Sequence, residues 1–161
     1  MTPEDLALID FYLDDPGKFL FGQMSWIDRQ HALTVAKTIL AKSTATTEKI
    51  ELKTLVTAAL LHDIGKVDGD FSFISRIMVG IIRRVKPALR GKMAMRYPAT
   101  FWERFRYGLY VDLTHPARGA HMARTFGLEN DIVEIIRHHH DPPRLGQSIE
   151  LTWLQLIDSQ N

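Results

Sequence analysis

The amino-acid sequence predicts an all-α fold, a single-domain helical bundle. Three observations carry this reading. Apolar residues recur every three or four positions in one segment after another, caps and breakers fall at intervals of a helix length, and no stretch alternates apolar and polar residues as a half-buried strand does.

Glu4 to Asp14 reads as a first helix, closed by Pro16-Gly17. Ser25 to about Ala41 follows, with Ile27, Leu33, Val35, Ile39 and Leu40 as its apolar stripe and His31 within it. Glu48 to about Asp63 is a third helix, apolar on most sides through Ile50, Leu52, Leu55, Val56, Ala59, Leu60 and Leu61. It ends at Gly65, a residue suited to a left-handed cap. Ser72 can cap a helix through Ile77, Ile81 and Val85 that Pro87 ends or kinks, and shorter helices are expected at Ala88 to Met95 and Thr100 to Tyr110. Thr114 or His115 opens another, with Pro116 in its first turn, running to Gly127. Glu129 to His140 is the next, stopped by Asp141-Pro142-Pro143, and Ser148 caps a final helix. At most a short ribbon of sheet is expected beside these helices.

A chain of 161 residues with 45 % apolar content suffices for one core, so residues 1–161 are read as one domain. The N-terminal Met1-Thr2-Pro3-Glu4-Asp5 has neither the basic stretch nor the apolar core of a secretory signal, and no apolar run reaches membrane-spanning length, so a soluble, cytoplasmic protein is expected. The absence of cysteine excludes disulfides, thiolate nucleophiles and sulfur-ligated metal sites. Any metal must sit on nitrogen and oxygen.

The formal net charge is only +1, yet Arg76, Arg83, Arg84, Lys86, Arg90, Lys92, Arg96, Arg104 and Arg106 face the single acid Glu103 within 76–106. This excess of about +8 makes the segment a candidate anion-attracting surface. Most such runs are solvated faces. The apolar residues interleaved here leave open peripheral contact with an anionic membrane. No aromatic-basic RNA motif is present, so nucleic acid is the weaker partner.

The seven histidines fall on helices among core residues. Neutral imidazole is a common nitrogen ligand and a carboxylate can bridge two cations, so His62-Asp63 at a helix end offers one terminal and one bridging ligand. The run Leu60-Leu61-His62-Asp63-Ile64-Gly65-Lys66 resembles the signature of the HD superfamily of metal-dependent phosphohydrolases, in its His-Asp-Ile-Gly (HDIG) subset. Further elements follow in that family's order: an upstream helical histidine, His31; a His-Pro-x-x-Gly-Ala element, His115 to Ala120; a histidine pair after an Ile-Ile run, His139-His140; and a late aspartate, Asp158. The resemblance covers about residues 25–160 and implies a helical bundle of the HD-domain type.

Residue by residue, the resemblance implies a first metal site of His31, His62, Asp63 and Asp158, with Asp63 bridging. It implies a second site with His115, His139 and His140 as additional ligands. Three consecutive histidines leave the register open, and His138 can stand in for His140. The Gly-Tyr-Pro element of the cyclic di-GMP phosphodiesterases is replaced by Asp141-Pro142-Pro143-Arg144, which disfavours that activity.

The expected chemistry is hydrolysis of a phosphate ester or anhydride, with a nucleotide or dinucleotide as substrate by family resemblance. One or two divalent ions would polarise a phosphoryl oxygen and lower the pKa of a water toward about 7. Asp63 and Lys66 are the candidate catalytic residues, with Lys66 and Arg118 as candidate phosphate binders. The mixed imidazole and carboxylate set favours manganese or iron, with zinc or nickel also able to bind. Two alternatives use the same residues: a diiron oxygenase, and a binding module whose metal is structural and whose basic segment docks on membrane.

Overall fold

The computed structural model describes residues 1–69, 79–82, 85 and 87–161. The expected helix from Ser72 falls mostly outside these, as do Arg76, Arg83, Arg84 and Lys86 of the basic segment. The described elements are all helical: α1 (Pro3–Tyr12), α2 (Asp15–Gln23), α3 (Trp26–Ser43), α4 (Leu52–Leu61), α5 (Pro87–Met93), α6 (Phe101–Thr125), α7 (Asn130–His138) and α8 (Ile149–Asp158). Among the described residues the expected ribbon shrinks to an isolated antiparallel bridge between Met24 and Val67.

Side-chain caps set most of the helix starts. Thr2, Ser25, Thr100 and Ser148 each accept a hydrogen bond from the backbone N–H three residues on, satisfying a donor that the first helical turn leaves unpaired. Several expectations need correction. Pro16-Gly17 does not close a helix but lies in the first turn of α2, because proline lacks the N–H that this turn cannot use, and Asp14 accepts from Gly17 N–H at 2.9 Å. The segments expected as separate helices at Thr100 to Tyr110 and from Thr114 onward are one helix, α6, which runs through Pro116. The third expected helix also starts later, at Leu52.

Helix α4 forms the centre. Leu55 through Leu61 are all buried, and α4 packs against α1, α2, α3, α7 and α8. A helix apolar on every side can be stable only when surrounded in this way. Each fully buried leucine, such as Leu55, Leu60 or Leu61, contributes about 2 kcal/mol through burial. One contiguous apolar cluster extends from Ile9 on α1 to Ile157 on α8. The chemistry-bearing residues sit where α4 leaves this cluster.

The exit from α4 depends on Gly65, but not as a left-handed cap. Positive φ values among the described residues occur at Gly69, Gly127 and Gly146, not at Gly65. A Cβ on Gly65 would instead lie 2.0 Å from the carbonyl oxygen of His115 and 2.8 Å from the backbone nitrogen of Gly119. Gly119 reciprocates, its own Cβ position being 3.2 Å from Gly65 N. Two glycines thus bring the end of α4 against the backbone of α6.

Candidate metal centre

Five elements deliver the site: α3 carries His31, the turn after α4 carries His62 and Asp63, α6 carries His115, the turn after α7 carries His139 and His140, and α8 ends with Asp158. His62, Asp63, His115 and His139 are buried, and His140 lies at the rim. Potential ligand atoms gather into two triads, His31/His62/Asp63 and His115/His139/His140, each with its atoms within 4.8 Å of one another. Asp63 stands between them. Its Oδ1 is 3.2 Å from His115 Nε2 and 3.9 Å from His139 Nε2, while its Oδ2 is 3.6 Å from His62 Nε2. A chain of imidazole contacts, His31 to His62 to His139 to His115, joins the triads.

Three of the histidines are held alike. His62, His115 and His139 each donate Nδ1–H to the carbonyl three residues earlier, Ala59, Asp112 and Ile136, at 2.8, 2.9 and 2.7 Å. His62 and His139 do so at helix ends, where final carbonyls have acceptor capacity left over. His115 sits inside a helix, and there Pro116 is the reason. The carbonyl of Asp112 would ordinarily accept from the N–H of residue 116, which proline lacks, so His115 takes it. In all three Nδ1–H is held by a backbone carbonyl, and at His115 and His139 this leaves the Nε2 lone pair turned inward, the arrangement typical of metal-ligating histidines.

That arrangement fits a cation. His115 Nε2 and His139 Nε2 are 3.3 Å apart, and with both Nδ1 atoms donating outward their lone pairs face each other beside Asp63 Oδ1. Three acceptors converge without a donor. His62 Nε2 and Asp63 Oδ1 are fully buried without a hydrogen-bond partner. Such groups cost about 1–3 kcal/mol each when unsatisfied, a penalty a bound metal ion removes.

The electrostatics separate the triads. Burial pushes His115 and His139 below the ordinary histidine range, reinforced at His115 by the Lys66 charge and at His139 by His140 and His62. Burial and neighbouring His115 likewise press His140 down to about 4. These imidazoles are neutral and ready to ligate. For His62 burial works downward too, but the charges of Asp63 and Asp158 outweigh it and raise it to about 9. Burial would raise Asp63, yet Lys66 and His62 hold it well below the usual carboxylate range. Asp158 is also held low against burial, by the hydrogen bond from His31 Nε2 at 2.8 Å and by His62 at 3.4 Å.

Of the expected site residues, all seven candidate ligands come together. His138 does not: its ring nitrogens lie 2.7 Å from Asp141 and 3.3 Å from Glu134, so His139 and His140 are the pair turned toward His115. Lys66 is on the site, its Nζ donating to Asp63 Oδ2 at 2.8 Å. Arg118, the other expected phosphate binder, is not among the residues lining the cleft over the triads. The cleft wall instead carries Arg90, paired with the buried Asp112, and Arg137. Arg137 lies in the last turn of α7, three residues before His140, a spacing the sequence already contains.

The chain matches the family described as Cas3, HD domain over residues 23–158, a span containing every candidate ligand. No curated protein and no solved structure matches the chain. Domains of this kind are in general metal-dependent hydrolases that bind divalent ions, in agreement with the donor set. By sequence match, all-helical architecture and the gathering of His62-Asp63 with four further histidines and a late aspartate, the chain belongs to the HD-domain superfamily, in the Cas3 HD family.

Proposed function

We propose that this protein, an HD domain of the HDIG subset, is a metal-dependent phosphohydrolase that cleaves a phosphate ester or anhydride bond, with a nucleotide or dinucleotide as substrate. The observation that supports this most is Asp63 between two histidine-rich triads, each of its oxygens facing a different one. In this reading His31, His62, Asp63 and Asp158 hold one divalent ion, His115, His139 and His140 hold a second, and Asp63 serves both. Manganese or iron suits the nitrogen and oxygen set best, and zinc or nickel would also bind. A divalent ion here supplies Lewis acidity, polarising a phosphoryl oxygen and making a water acidic enough to react near neutral pH.

The remaining work belongs to the chain. Buried Nδ1–H donations keep the three histidine rings oriented. Lys66, with its ammonium on Asp63, sets a positive charge beside the reacting phosphate. The low-lying imidazoles of His115 and His139 stay unprotonated at neutral pH and need lose no proton to act as ligands.

The match to the Cas3 HD family favours a second reading, in which the phosphodiester belongs to a nucleic-acid strand. One experiment addresses both. Purified protein is assayed for bound metal, then for turnover on mononucleotides, dinucleotides and oligonucleotides, beside His62→Ala and Asp63→Ala. The leading reading expects bound transition metal and phosphate or nucleotide release that both substitutions abolish. Cleavage of oligonucleotides alone would select the second reading. Activity surviving both substitutions, or oxygen consumption dependent on ferrous iron without phosphate release, would reject both.

A further inference from the structure

The cleft over the triads has a volume of about 1160 Å³, larger than a phosphoryl group and its metals need. Its wall holds three cations among the described residues: Lys66, Arg90 and Arg137. Two are committed. Lys66 donates to Asp63 at 2.8 Å, and Arg90 is paired at 2.5 Å with the buried Asp112. Arg137 differs. Its Nε is buried without a hydrogen-bond partner, and the carboxylate oxygen beside it, Glu134 Oε1, is 3.7 Å away. Glu134 is moreover shared with Arg124 at 3.2 Å and His138 at 3.3 Å. Arg137 therefore keeps donor capacity in the last turn of α7, on the same cleft as His139 and His140. The lining also includes the apolar side chains of Ile27, Leu113, Pro116 and Leu156.

We propose that Arg137 is the anchor of a subsite for a second, non-reacting phosphate, so that the substrate is a small molecule with two or more phosphoryl groups and an apolar or aromatic body, not a simple phosphomonoester. This rests on the phosphohydrolase reading for the reaction, though not for the binding. A planar guanidinium grips a phosphate through paired N–H donors, and the Arg137 side chain, about a third exposed at the cleft, can present them. The apolar side chains of the lining suit a nucleobase. Binding a phosphate that does not react lowers KM more than it raises kcat, which fixes the signature of the residue.

The test compares wild type, Arg137→Gln and Arg137→Lys in the manganese-loaded full chain. Calorimetry with inorganic pyrophosphate and with inorganic phosphate reads the subsite without turnover. Wild type should bind pyrophosphate about ten- to a hundredfold more tightly than phosphate, Arg137→Gln should lose most of that preference, and Arg137→Lys should recover part of it. In turnover, Arg137→Gln should raise KM for nucleoside di- and triphosphates while leaving monophosphate kinetics within about twofold. An unchanged pyrophosphate preference in Arg137→Gln overturns the proposal, as does an equal fall in kcat on every substrate, which would mark a role in holding the metal ligands. Arg137-dependent pyrophosphate preference without turnover of any phosphate compound would uphold the subsite while overturning the hydrolase reading.

Discussion

The two triads are built from similar side chains by opposite electrostatic means. Around His62 two carboxylates surround one imidazole, and burial is overruled: His62 is raised to about 9 and carries a proton at neutral pH, between Asp63 and Asp158. Around His115, His139 and His140 burial prevails, and three neutral rings turn lone pairs toward one another. In the first region a metal ion must displace a proton. In the second it meets no proton but gains little charge attraction except from Asp63. On the two-ion reading proposed above, similar ligands would thus give sites of different affinity and pH response, with the carboxylate that faces both triads coupling them.

The largest effect should come from removing that carboxylate. Asp63→Ala is expected to lower phosphate release by about a thousandfold or more and to reduce bound metal at both triads, whereas His140→Ala should deplete the second alone. Metal stoichiometry measured beside activity checks this. An Asp63→Ala protein retaining two ions would break the notion of a shared ligand.

The next effect concerns the contact that brings the two regions together. Gly65→Ala places a methyl 2.0 Å from the His115 carbonyl, and the backbone there cannot yield as a flexible side chain would. A destabilisation of about 3 kcal/mol is expected, read as a shift of the denaturant midpoint. A variant as stable as wild type would show that α4 and α6 can separate without cost.

The pH response should then set the triads against each other in metal-free protein. His62 has a folded-state pKa raised to about 9, so its stabilisation is complete below the unfolded value near 6.5 and is lost as pH rises through 9. His115, His139 and His140 are depressed, so their contribution is complete above 6.5 and is lost as pH falls toward about 4, the value for His140. Thermal unfolding should peak near neutral pH. His62→Gln should flatten the alkaline limb and His140→Gln the acid limb, and exchange of these two effects would reverse the assignment.

The smallest expected effect concerns Pro116. Pro116→Ala restores an N–H that competes for the Asp112 carbonyl, which should loosen the tautomer of His115 and weaken metal binding at the second triad by about tenfold. Nitrogen chemical shifts of the His115 ring in metal-free protein report the tautomer directly. A ring still protonated solely on Nδ1 would show that the carbonyl accommodates both donors.

Much of this organisation is legible in the sequence. The run Leu55 to Leu61, followed at once by His62-Asp63, already describes a buried helix emptying into a polar site, and Ser25, Thr100 and Ser148 mark helix starts where the structure has them. Other features are ambiguous in the sequence for a common reason. Pro16, Pro116 and Gly65 have several local meanings, and local sequence cannot choose among them. Pro16 starts a helix, Pro116 stays inside one because His115 takes up the freed carbonyl, and Gly65 is needed for a neighbouring backbone. Arg118 and Arg137 are equally basic on paper, and only the cleft distinguishes them.

The sequence by itself determined the helical class, the identity of the donor atoms and the order in which they come along the chain, because these follow from short-range periodicity and side-chain chemistry. Tertiary structure decided that His139 and His140 rather than His138 join His115, that Asp63 faces both triads, and that His62 and His115 titrate in opposite directions. These are properties of distance and burial between α3, α4, α6, α7 and α8, and such quantities exist only after the helices have packed.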